Sequence, residues 1–169
     1  MACHDGPMRP ALLLLVLFAP LLAWGRGEIS HFVDKLSCDG GPYALKLPKT
    51  YAELRRLAPL KGERVLRKED MGGYTAVYRN LIFNGLRLEV VTYSDDSPYQ
   101  VSSAEIRSSQ WRIAGPFRAG QALPPRVGDV ATHTLRATTT VEFSGDEDTV
   151  RVRLVGRKVS VLTYLCLTD

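Results

Sequence analysis

The chain has 169 residues, a formal net charge of +4, 45% hydrophobic and 24% charged residues, and three cysteines. That length holds one ordinary domain or two very small ones, and the apolar share excludes a disordered chain. The basic excess is small and mixed in sign along the chain, which is a poor basis for nucleic-acid binding.

The first 25 residues have the parts of an export signal: Arg9, an apolar run from Ala11, and the small-x-small triplet Ala23-Trp24-Gly25. Cleavage is expected after Gly25. Pro20 breaks the apolar run, which is far shorter than the roughly 20 residues of a membrane-spanning helix. The mature chain is therefore expected to carry no transmembrane segment. Met8-Arg9 makes a more typical signal start than MACHDGP, where Asp5 stands in a region that should be positive, so translation from Met8 is expected and Cys3 would be lost. No cysteine follows at the cleavage point, so lipid attachment is not expected. The destination is the periplasm or the secreted space.

Residues 26–37 read as a lead-in, and the mature chain keeps only Cys38 and Cys166. Disulfides persist outside the cytoplasm, so these two are expected to be bonded to each other. A metal pair or reactive thiol is the weaker alternative, since there is no CxxC and only His31 and His133 could join them. No metal and no cofactor are expected.

After the turn Asp39-Gly40-Gly41-Pro42, the segment PKTYAELRRLAPL reads as a short helix. Thr50 would cap it with Glu53 completing a capping box, Leu54, Leu57 and Ala58 would face the core, and Pro59 would stop it. The basic residues from Arg55 to Lys68, interleaved with Glu53, Glu63, Glu69 and Asp70, read as solvated helix and loop. An anionic surface is the alternative partner for them. Strands are expected at residues 74–83, 86–93 and 99–106, joined by the hairpin turn Asn84-Gly85 and a turn at residues 94–98.

The second half repeats this order, opening at Gly115-Pro116. A weaker helix is expected in ALPPRVGDVAT, where Pro124, Pro125 and Gly128 work against it, followed by strands at residues 136–143, 150–155 and 158–165. Phe83-Asn84-Gly85 corresponds to Phe143-Ser144-Gly145, and Val101-Ser102 to Val159-Ser160, at nearly the same spacing. The expectation is an α+β fold of two similar helix-sheet units, residues 38–107 and 108–169, closed by one disulfide. A single meander is the alternative.

A helical opening, an antiparallel apolar-polar meander and a turn such as Gly156-Arg157-Lys158-Val159 before a last strand, all repeated, resembles the tandem units of secreted beta-lactamase-inhibitor proteins. It is similar also to small outer-membrane assembly lipoproteins that carry one such unit. The resemblance spans residues 38–165 and implies a binding function. The chain departs from it in having no lipidated cysteine and one end-to-end cysteine pair, and no functional residue carries over.

No GxSxG, HExxH, P-loop or GxGxxG motif is present. His133 reads as a surface or strand-edge residue rather than a base, and Asp95-Asp96 and Asp146-Glu147-Asp148 read as solvated hairpin tips without EF-hand spacing. No catalytic residue is assigned. If Leu86, Leu88 and Val90 face inward with Val150, Val152 and Leu154, then Arg87, Glu89, Val91, Tyr93, Glu142, Arg151 and Arg153 face outward as a candidate binding face. Trp111 is expected buried as the seam between the units. These readings point to an exported, non-catalytic binding protein of inhibitor or assembly-factor kind, with another envelope or secreted protein as partner. A hydrolase without a motif and a carrier of a small apolar ligand are the alternatives.

Overall fold

The computed structural model describes residues 28–95, 97–135 and 139–167. The expected export signal lies outside the described residues. In chain order the elements are β1 (Ile29–Phe32), α1 (Tyr51–Leu54), β2 (Gly62–Asp70), β3 (Thr75–Phe83), β4 (Leu86–Tyr93) and β5 (Gln100–Ile106). There follow β6 (Arg126–Val127), β7 (Val130–Ala131), a 3₁₀ turn (Thr132–Leu135), β8 (Thr140–Ser144), β9 (Thr149–Val155) and β10 (Lys158–Leu165).

Eight of the strands form one sheet in the order β1-β8-β9-β10-β5-β4-β3-β2, antiparallel throughout except for β1 beside β8. The meanders β3-β4-β5 and β8-β9-β10 meet where β5 pairs with β10. Side chains alternate across the sheet. One face carries Leu81, Phe83, Leu86, Leu88, Ile106, Phe143, Val152 and Tyr164, all at most 3% exposed. Over that face lie the irregular segments that precede β2 and β8, which contribute Val33, Leu36, Leu54, Trp111, Phe117 and Val127 to one continuous core.

The expected α+β fold of two helix-sheet units is corrected by this architecture. The chain is mostly β, one eight-stranded sheet, and no helix of seven residues or more occurs among the described residues. The capping box at Thr50 does form, and buried Leu54 anchors α1, yet the helix is only four residues long. A single turn cannot recover the cost of helix nucleation, and Pro59 closes the segment soon after. In the second half Pro124, Pro125 and Gly128 leave no helix either: β6 and β7 pair across a turn with Gly128 at φ 56°.

The charged stretch read as solvated helix and loop is another correction. GERVLRKED is β2, the edge strand, paired with β3 along its length and bulged between Val65 and Arg67. Charge and a bulge on an edge strand discourage pairing with a further chain, so the composition that hid the strand suits its position.

Candidate functional site

Among the described residues nothing covers the sheet face opposite the core, and cross-strand register sorts its side chains into rows. One row runs Arg87, Glu105, Thr163, Arg151, Glu142 across five adjacent strands. Below it run Asn80, Glu89, Ser103, Leu165, Thr149, Ser144 and Phe32. Phe32 is 66% exposed, Leu165 40% and Val155 69%, so three large apolar side chains stand among the charges.

All seven residues of the candidate binding face lie on this side, Val91 among them though buried. Arg87, Arg151 and Arg153 are exposed, and Glu89, Tyr93 and Glu142 are partly buried. Opposite charges alternate along the first row. Arg151 donates to Glu142 at 2.9 Å and contacts Glu28 at 2.8 Å. Glu105 is held below the usual carboxylate range by Arg107 at 2.7 Å, with Arg87 and Arg153 adding to the effect.

Sequence reasoning missed Glu105, Ser103 and Gln100. A bulge in β5 lies opposite Glu89 and Val90, so that Val101 and Ala104, three apart, both face the core. Strict period-two counting fails there. Only the partners across β4 and β10 reveal which of these residues face out.

At the β4–β5 end of the same face the rows become aromatic. Arg67, Tyr78, Val91 and Gln100 form one, and Glu69, Ala76 and Tyr93 the next. Val91 and Ala76 are 1% and 2% exposed although both lie outside the main core. Tyrosines cover them: Tyr74 and Tyr93 meet edge to face at 5.7 Å, and the Tyr93 hydroxyl donates to Gln100 Oε1 at 2.6 Å.

The cysteines occupy a separate place at the rim of the covering layer. Cys38 and Cys166 are bonded, with Cα atoms 5.8 Å apart. Asp148 is buried beside them and accepts the backbone N–H of Cys38 at 2.6 Å and of Leu167 at 3.0 Å. Cys38, Asp148 and Cys166 would make three metal donors within 4.8 Å. The sulfurs are bonded to each other, however, and both carboxylate oxygens are engaged, so the group is a structural knot. Asp148, read as part of a solvated tip, is thus an internal acceptor. His133 is exposed on the 3₁₀ turn, as a surface residue.

Trp111, expected buried, is 7% exposed. Its Nε1 donates to Asn84 O at 2.8 Å and its ring meets Phe83 edge to face, which places it over the β3–β4 turn. The two meanders join through β5 and β10. Among the described residues no helix is long and apolar enough to cross a membrane. In comparisons with known proteins, no family model, no curated protein and no solved structure matches the chain.

Proposed function

We propose that the chain is an exported, non-catalytic binding protein whose open sheet face docks another envelope or secreted protein, in the manner of an inhibitor or assembly factor. The observation that carries this reading is the row from Arg87 to Glu142, charges of alternating sign on a rigid sheet, with Phe32 and Leu165 exposed in the row beside it. Alternating charge specifies orientation and register, while exposed aromatic, aliphatic and arginine side chains supply anchors. A sheet braced by a core on its other face loses little freedom on binding. The partner would present complementary charges around an apolar centre. The disulfide is compatible with an oxidising compartment.

A photo-crosslinker at Thr163, in the middle of the charged row, tests the reading on the full chain. It should trap one exported protein, and the yield should fall at least tenfold in the double variant Arg151→Glu, Arg153→Glu. Yields that ignore both charge reversal and added salt would refute docking by this face. Trapping only from a crosslinker on the covered side would do the same.

A further inference from the structure

We propose that the tyrosine-walled cleft at the β4–β5 end of the open face receives the guanidinium of an arginine presented by a peptide segment of the partner. This rests on the open face being a docking surface and names the chemistry of one anchor on it. The cleft has a volume of about 360 Å³, and its walls include Tyr74, Tyr93, Asp95 and Gln100, with Tyr99 at the rim, where it also packs on Tyr51 of the covering layer. That is within the ordinary range for ligand sites.

Its rings are fixed before any ligand arrives. Tyr93 is tied through its hydroxyl to Gln100, and Tyr74 packs edge to face on Tyr93. Asp95 is exposed at the mouth. Its carboxylate accepts the Ser97 N–H at 3.2 Å, and bonds from Ser97 hold it below its ordinary value, so it carries its charge at neutral pH. Tyrosine faces beside an ionised carboxylate attract a cation.

The neighbouring row shows the same chemistry already filled. The Arg67 guanidinium lies 3.7 Å over the Tyr78 ring. Arg67 Nη1 is 2.8 Å from Glu69 Oε1, and Tyr78 donates to Glu69 Oε2 at 3.0 Å. Here a planar cation stacks on tyrosine while a carboxylate holds its edge. The adjoining cleft repeats the rings and the carboxylate, but no lysine or arginine is among the described residues that line it. The missing cation must then come from another molecule. A guanidinium suits the cleft better than an ammonium because it can stack flat on a ring and still donate sideways to Asp95.

The test is an NMR titration of the full chain with the blocked peptide acetyl-Gly-Arg-Gly-amide, with its citrulline counterpart and phosphocholine as comparison probes. The arginine peptide should shift the backbone signals of Tyr74, Tyr93 and Gln100 and bind at least fivefold more tightly than the uncharged citrulline peptide. Asp95→Asn and Tyr74→Ser, both at exposed or partly exposed positions, should each weaken it at least fivefold. Equal binding of the citrulline peptide would overturn the proposal, as would shifts confined to other residues or tighter binding of phosphocholine. The peptide titration needs no partner. Its failure with crosslinking at Thr163 intact would remove the cleft and leave the docking face; the converse would remove the docking face and with it the partner's role, leaving a cleft that binds arginine.

Discussion

At the scale of single residues, one carboxylate joins three elements. Glu63 on β2 accepts the Tyr51 hydroxyl from α1 at 2.7 Å, Arg79 of β3 at 3.1 Å, and Arg55 at 2.9 Å. Burial alone would raise its pKa, but the Tyr51 hydrogen bond, Arg55 and Arg79 together outweigh burial and hold it below the usual value. A carboxylate depressed in the folded state contributes stability that is complete above its unfolded pKa of about 4.3 and is lost as pH falls through the folded value. Tyr51 works in the opposite sense: burial, then the bond to Glu63, push its phenol up to about 12. Its contribution is complete below the unfolded value near 10 and is lost as pH rises towards 12. The urea midpoint should therefore fall on both sides, below about pH 4.3 and above about pH 10. Glu63→Gln should flatten the acid arm and Tyr51→Phe the alkaline arm. An acid arm unchanged in Glu63→Gln would mean that other carboxylates govern it.

At the scale of elements, the covering layer depends on two loops that cross closely. Leu45 bridges Ala114, and the Lys46 N–H donates to Ile113 O at 2.7 Å. The chain then turns at Gly115 with φ 53°, where an added Cβ would meet Pro42 O at 2.7 Å. Left-handed backbone alone costs a non-glycine residue roughly 1–2 kcal/mol. Gly115→Ala should lower unfolding stability by about 2 kcal/mol or more once that contact is added. Hydrogen exchange should quicken first at Lys46, and exchange unchanged there would show that the crossing absorbs the methyl group. These loops explain which parts of the fold were legible in the sequence. Strands with one wet face announce themselves by alternation, and the expected ranges 86–93 and 158–165 coincide with β4 and β10. The capping box was readable because it is local, and the cysteine pair, 128 residues apart, because only two cysteines follow the expected signal. The covering layer has no period because it is not regular structure, so its buried Val33, Ile113 and Phe117 carried no pattern to count. Edge strand β2 was hidden by its charges, and the outward residues of β5 by a bulge. The outward direction of Arg87, Glu89, Tyr93, Glu142, Arg151 and Arg153 was legible from alternation along β4, β8 and β9, whereas Val91 points the same way yet is buried.

At the scale of the molecule, one sheet separates two environments, a core under loops and the outer face proposed above for docking, and the disulfide fastens the loops to the sheet's middle. Cys38 stands in the first covering segment. Cys166 follows β10, its N–H donating to Ser102 O on β5 at 2.9 Å. The bridge spans a sequence separation of 128, for which chain entropy allows about 4 to 5 kcal/mol of stabilisation, an upper figure. The double variant Cys38→Ser, Cys166→Ser should fold, because the sheet registers do not depend on the bridge, and should unfold at lower urea by up to that amount. Asp148 allows the mechanism to be separated. Replacing it by Ala leaves the buried N–H of Cys38 and the partly buried N–H of Leu167 without their acceptor, a loss of roughly 1 to 3 kcal/mol. If the bridge acts only by restricting the unfolded chain, Asp148→Ala should cost the same with and without it. If the bridge also positions those N–H groups in the folded state, the losses will not add, and a cycle among the three variants should show coupling of at least about 0.5 kcal/mol. The close packing of carboxylate and sulfurs favours coupling. Strict additivity would assign the whole effect of the bridge to the unfolded state, leaving Asp148 to hold the loop against β10 by itself.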